Sequence, residues 1–383
     1  MWWKKKRVYL DVAAGMSGNP SSPHEEGRRA KKMLEEARTA IARLVEVQSD
    51  DVVFTSGATE ANALAILGSL RAGSTKNQTP RTKHALYLPT AHASVVENMK
   101  ALAEEGVEVE ELPIRDARVD CEKLKRMLRP ETTLVSMDAV CGETGVIWNT
   151  REVAQTLSAH VGRSTSYMGG RMLLHVDASQ APLTEKITRA HFGADLMVLD
   201  ASKIGETRGI GALVAHRTIS LASLYRGGGQ ERGLRPGSEA PELACRFAAA
   251  LLAAALGRGK FRAFAERTRA ELIKMIAKEI PDAYINGSSN QAPHILNLSL
   301  LGRDTDYLAA LLDEDGFAVS TRSACESDSE DGSRAVLVLT GDTERAKATL
   351  RISWGPETKK RELHRFVNAL VRAVVFIDNE RER

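Results

Sequence analysis

A chain of 383 residues is longer than one compact core usually organises, so one large and one smaller unit are expected. Hydrophobic residues make up 43% and charged residues 27% of it, the balance of a globular protein. Lys+Arg 53 against Asp+Glu 50 leave a net charge of +3, which argues against a nucleic-acid partner.

The chain opens on Trp2-Trp3-Lys4-Lys5-Lys6-Arg7, a basic start that runs into Val8-Tyr9-Leu10 with neither an apolar stretch nor a small-residue cleavage site, so it does not read as a targeting segment. Short β-rich runs follow at 51–54, 85–88, 107–109, 133–137, 172–176 and 196–199. Between them the apolar residues recur at three and four, which predicts helices over 25–45, 61–70, 94–105 and 150–160. This alternation predicts an α/β fold, a mostly parallel, doubly wound sheet with ligands at the carboxyl ends of its strands. The most apolar run, Phe247 to Leu256, is about half of what a bilayer span needs and reads as part of a buried helix over 242–256. Beyond it come a charged helix over 259–280, strands near 294–301 and 350–354 and a closing helix over 359–377, the pattern of a smaller α+β domain. Residues 16–256 are therefore expected to form the large domain, and 1–15 with 257–383 the small one. The segment Cys325 to Ser333, rich in Ser, Asp and Gly, has the composition of an exposed mobile loop.

Four cysteines, at 121, 141, 245 and 325, make no CxxC pair and no Cys/His cluster at metal spacing, so neither a disulfide framework nor a metal site is expected and a reducing cytoplasm fits. Cys121, Cys141 and Cys245 read as packing residues.

Three segments carry chemistry. Phe54-Thr55-Ser56-Gly57-Ala58-Thr59-Glu60 joins a strand to a helix, where free backbone N–H groups can hold a phosphate; the same residues also suit a plain turn capped by Thr59. His175-Val176-Asp177-Ala178-Ser179-Gln180 puts an acid just past a buried strand, where it needs a cation such as a protonated pyridine nitrogen, or else caps the next turn. Leu199-Asp200-Ala201-Ser202-Lys203 puts a lysine at a strand end, as a Schiff-base enzyme requires, although most lysines are merely solvated.

The ordered series is more specific than its parts. Gly57-Ala58-Thr59-Glu60, Thr90-Ala91-His92, His175 to Gln180 and Lys203 are followed by Gly227-Gly228-Gly229-Gln230-Glu231-Arg232-Gly233-Leu234-Arg235-Pro236-Gly237-Ser238, then Ser323-Ala324-Cys325 and Leu350-Arg351-Ile352-Ser353-Trp354. From about Tyr9 to its end, and including Gly18-Asn19-Pro20-Ser21-Ser22, the chain resembles the cysteine desulfurases, class V aminotransferase relatives within the fold type I pyridoxal-phosphate enzymes. The resemblance implies that Ala58, Thr59 and Ser202 meet the phosphate of pyridoxal 5′-phosphate. By the same likeness His92 lies over the ring, Asp177 pairs with its nitrogen, Gln180 meets its phenolic oxygen, and Lys203 forms the Schiff base. Ser238 would reach the phosphate of a neighbouring subunit in a homodimer. Arg351 would clamp the carboxylate of L-cysteine, His92 would carry the thiol proton, and Cys325 would take the sulfur as a persulfide. The long connection from Cys325 to Arg351 resembles the branch that delivers sulfur to acceptor proteins, such as an iron–sulfur scaffold.

The chain also departs from the family. Asp200-Ala201-Ser202-Lys203 stands where Ser-Gly-His-Lys is usual, Val140-Cys141-Gly142-Glu143 where Val-Asn-Asn-Glu is usual, and Thr321-Arg322-Ser323-Ala324-Cys325 where Ser-Gly-Ser-Ala-Cys is usual. The stretch from Asp11 to Gly18 is short. A carboxylate repels a phosphate, so Asp200 is expected either to turn away from the cofactor or to weaken it. Two alternatives stand beside an active desulfurase: a degenerate paralogue that acts as a sulfur-transfer binding subunit, and another class V lyase such as a selenocysteine lyase, against which Cys325 discriminates.

Overall fold

The computed structural model describes residues 7–72, 83–161, 172–321 and 332–381. Cys325, with Ser323 and Ala324, lies outside the described residues. Helix α1 (Glu25–Val45) starts where His24 accepts the Gly27 N–H on its ring nitrogen, carries Glu25 and Glu26 in its first turn, and buries Leu34, Ile41 and Val45 on one stripe. The elements β1 (Val52–Thr55), α2 (Ala58–Arg71), β2 (His84–Tyr87), α3 (Ala93–Glu104) and β3 (Glu108–Glu111) follow. A small hairpin, β4 (Ile114–Arg115) and β5 (Arg118–Val119), leads to α4 (Cys121–Met127), β6 (Thr132–Asp138), α5 (Thr150–Val161), β7 (Leu173–Asp177), α6 (Arg189–Phe192), β8 (Leu196–Asp200) and β9 (Gly211–Ala215).

Among the described residues, seven of these strands form one sheet in the order β1-β9-β8-β7-β6-β2-β3. Only β9 runs against its neighbours; β1 shares the direction of the other strands. The expected mostly parallel α/β sheet is what the chain forms. Strands β6, β8 and β9 are buried along almost their whole length, on both faces, as helices on either side require. Strand β9 is absent from the sequence expectation, although all five of its residues are buried. It fits because Gly211 has no side chain: a Cβ there would come within 2.8 Å of the Gly57 backbone.

The expected helices at 242–256 and 259–280 are one helix, α7 (Pro241–Glu279), 39 residues and about 58 Å long. Gly257 and Gly259 sit in its middle with nothing near their missing Cβ atoms, and each costs about 1 kcal/mol of propensity. Packing at both ends outweighs that cost. Phe247 and Leu251 join the core around the large sheet, and Phe261, Ala265, Leu272 and Ile276 join a second core. That second core lies on an antiparallel sheet of β10 (Tyr284–Asn286), β11 (Ile295–Ser299) and β12 (Thr349–Ser353), together with α8 (Thr305–Glu314) and α11 (Lys360–Arg381). Two short helices, α9 (Arg334–Thr340) and α10 (Thr343–Lys347), precede β12. No described helix is long and apolar enough to cross a membrane.

Candidate active site

Parallel strands bring their carboxyl ends to one edge of a sheet, and most of the chemical motifs sit on that edge. Strand β1 leads through Gly57 into α2, and β2 leads to His92, the cap of α3. Strand β6 ends at Asp138, β7 at Asp177 with Gln180 three residues on, and β8 at Asp200 with Lys203 three residues on.

At the head of α2 the cap is Gly57, with φ 150°, and Thr59 is the second helical residue rather than the cap. Helix N-termini leave backbone donors unsatisfied and carry partial positive charge. Here the Ala58 N–H donates to Asp200 Oδ2 at 2.8 Å, and the Ser202 N–H donates to Asp200 Oδ1 at 2.8 Å. Attraction to these two amides holds the Asp200 carboxylate facing the head of α2. Glu60 in the same first turn accepts the Ser56 N–H and is met by the Tyr225 hydroxyl and Arg235. Lys203, on a short 3-10 turn over 201–203, is exposed and makes no hydrogen bond or ion pair with another described residue.

Toward the middle of the sheet, Asp177 is buried and accepts the Ser179 N–H on Oδ1 at 2.9 Å and the Asn62 amide on Oδ2 at 2.7 Å. Asn62, fully buried on α2, also donates to Ser94 Oγ at 2.9 Å, and Ser94 Oγ lies 2.8 Å from His92 Nδ1. His92 Nδ1 accepts the Ser94 N–H as well, so the network assigns the ring proton to Nε2. A continuous chain of side chains thus joins His92 to Asp177. Beside it, burial pushes His175 down to about 4, leaving a neutral ring whose Nδ1 meets Ser136 Oγ at 2.7 Å. Asp138 is the parallel register partner of Asp177. Burial and then the Asp177 charge push it well above the usual carboxylate range, and the His92 backbone N–H donates to it.

Gln180 lies against Gly142, where an added Cβ would come within 2.9 Å of its amide nitrogen. Arg351, on β12, donates to Gly142 O at 3.2 Å and to Ser320 Oγ at 3.1 Å, and no described carboxylate pairs with it. Hence Gly142, an apparent loss in the sequence, is where Gln180 and Arg351 converge. Cys141 is buried and its thiol is pushed up to about 11 by that burial, which makes it inert. Cys121 and Cys245 are free and partly buried.

Ser238 is exposed at the end of a loop that returns to β1. That loop is held by Glu231, whose buried carboxylate takes Arg38 Nη1 and Nη2 at 2.7 Å each and the Phe54 N–H at 2.8 Å. The site residues missed in the sequence are Asn62, Ser94 and Asp138. The only cue was polarity in otherwise apolar segments.

Residues 8–366 match the family described as Aminotransferase class-V. The chain is 31% identical over 355 residues to cysteine desulfurase IscS 1 of Archaeoglobus fulgidus, spanning 92% of this chain and 88% of that protein. It is 32% identical over 389 residues to cysteine desulfurase IscS of Dictyoglomus turgidum, spanning 97% and 95%. Among solved structures it is similar to a NifS-like protein, with a TM-score of 0.84 and 25% identity over 96% of this chain and 94% of that one. Matched along nearly its whole length in both sequence and fold, the chain belongs to the class V aminotransferase family and, within it, to the cysteine desulfurases.

Proposed function

We propose that this chain converts L-cysteine to L-alanine with pyridoxal 5′-phosphate, leaving the sulfur as a persulfide on Cys325 for an acceptor protein such as an iron–sulfur scaffold. The observation that carries the reading is Asp177. Its buried carboxylate receives two neutral N–H donors and pairs with no described cation, so a protonated pyridine nitrogen is the partner the site lacks. Gln180 for the phenolic oxygen, His92 over the ring and Lys203 as its covalent anchor complete a donor set that fits the ring end. At the phosphate end Ala58, Thr59 and Ser202 would supply donors, and there Asp200 already holds two of their N–H groups.

When bound, the cofactor supplies an electron sink for the substrate's α-carbon. Arg351 binds the substrate carboxylate; its present acceptors are neutral, so a carboxylate is the stronger partner. Lys203 Nζ moves the α-proton. His92 Nδ1 is committed to Ser94, so Nε2 faces the substrate thiol and carries its proton. Cys325, as thiolate, attacks the substrate sulfur. The carbon–sulfur bond breaks with its electron pair staying on carbon, a sulfur–sulfur bond forms, and the carbon takes a proton. Cysteine plus a protein thiol thus become alanine plus a protein persulfide.

Residues 16–256 would form the cofactor domain, and 1–15 with 257–383 the small domain carrying Cys325. The two apolar cores, one drawn mainly from 34–251 and the other from 261–377, support the division near 256, whereas Arg7 and Asp11 bond to Glu26, Ser22 and His24 of the large unit. A homodimer is supported by the exposure of Thr59, Lys203 and Ser238 on the single chain, with Ser238 serving the neighbouring subunit's phosphate. Free thiols at Cys121, Cys141 and Cys245 support a cytoplasmic setting. The test is incubation of the purified chain with L-cysteine, excess pyridoxal phosphate and a reducing thiol, with alanine and sulfide measured together. Equal yields are expected. Sulfide without alanine, or neither product, overturns the reading.

A further inference from the structure

At the head of α2 the chain's own residues work against the cofactor that the ring end of the site fits. We propose that Asp200 is a built-in anion that occupies the phosphate-binding amides of this chain, so that loading of the cofactor requires its displacement. The inference rests on the cofactor reading above, but its geometry is independent of it. The carboxylate bridges two chain turns: Oδ2 takes the first N–H of the 14-residue helix α2, and Oδ1 takes the Ser202 N–H of the turn that carries Lys203. Those are the donors an anion at this helix end would use. The cap residue Gly57 sets the turn through its backbone, φ 150°, which side-chain-bearing residues rarely adopt, and a Cβ there would stand in ordinary contact 3.4 Å from Asp200 Oδ2. Glu60 brings a second carboxylate to the same turn, paired with Arg235 and accepting the Tyr225 hydroxyl. Each donor that Asp200 keeps is lost to a bound phosphate.

Two consequences distinguish this from a passive cap. The site should discriminate poorly between pyridoxal phosphate and unphosphorylated pyridoxal, because the phosphate gains little there. Removal of the carboxylate should create an ordinary phosphate site. The experiment compares the cofactor-free full chain with Asp200→Ser and with Asp200→Asn, which keeps the size and the turn-capping amide oxygen but drops the charge. Inorganic phosphate is titrated while the melting temperature is followed, and pyridoxal phosphate and pyridoxal are titrated by ring absorbance. Phosphate should leave the parent's melting temperature unchanged and raise it in both variants. The affinity ratio of pyridoxal phosphate to pyridoxal should rise about tenfold or more in both variants. Equal stabilisation of parent and variants by phosphate, or an unchanged ratio, overturns the proposal. If neither ring compound binds any of the three proteins, the cofactor reading falls, and the phosphate titration alone still decides the role of Asp200.

Discussion

Glu231→Ala tests how the loop that bears Ser238 is held to the sheet. Glu231 and Arg232 adopt left-handed backbone angles, φ 46° and φ 60°, which cost non-glycine residues on the order of 1–3 kcal/mol each. A fork-to-fork contact with Arg38 offsets that cost, and both side chains are shielded, at 9% exposure for Arg38 and 2% for Glu231. Arg38 also donates to Val52 O at 2.8 Å and lies 4.8 Å over the Phe54 ring, so its position is fixed from three sides. Truncating Glu231 leaves the guanidinium without its main partner and strips the Phe54 N–H of its acceptor. Breaking a buried pair from one side costs about 3–5 kcal/mol. Urea unfolding of parent and variant should show that loss as a lower midpoint at unchanged slope. The double variant Arg38→Met with Glu231→Leu should recover part of it, since no buried charge is left unpaired while the Phe54 N–H still lacks its acceptor. A loss under about 1 kcal/mol in Glu231→Ala would mean that water reaches the pair and that the loop is held by other contacts.

Three further outcomes follow from the site and its surroundings. Cys325→Ser should keep the cofactor's absorbance and its change on adding cysteine while abolishing the protein persulfide, read by mass; persulfide elsewhere at the original rate would refute the assignment. Arg351→Gln should raise KM for cysteine roughly 10- to 100-fold, the loss of a charge-assisted pair worth about 1.5–3 kcal/mol, and an unchanged KM would place the carboxylate elsewhere. His294 is buried and held down to about 4 by desolvation, so between about pH 6.5 and 4 the unfolded chain takes a proton that the folded one refuses, and stability falls as pH drops through that window. His294→Leu should flatten that acid limb by up to about 3 kcal/mol, and an identical slope in the variant would show that other groups set it.

Much of this molecule was legible because two signals were strong. Apolar runs of strand length gave six strands of the large sheet, and parallel strands alone place Asp177, Gln180, Asp200 and Lys203 on one edge. What was not legible depended on partners distant in sequence. The sequence pattern ends one helix at 256 and begins another at 259, yet α7 is continuous because α1 packs on it near one end and α11 near the other. The His92-to-Asp177 network runs through Asn62 and Ser94, whose value appears only when α2 and α3 lie side by side. The charge of Asp200 is legible in the sequence, but the backbone donors of Ala58 and Ser202, which attract any anion, come together only in the fold.

The unbroken course of α7 also makes residue count a structural variable. A loop between the two cores would absorb an inserted residue with little change. In a helix each added residue advances the chain by about 1.5 Å and turns everything after it by about 100°. One insertion near Gly257 would therefore swing Phe261, Leu272 and Ile276 off the second core while Phe247 and Leu251 stayed seated in the first. About seven inserted residues, close to two full turns, would be needed before the downstream face returned to within about 20° of its original bearing, by then displaced by about 10 Å along the axis. The chain can vary the composition of this stretch, glycines included, more freely than its length.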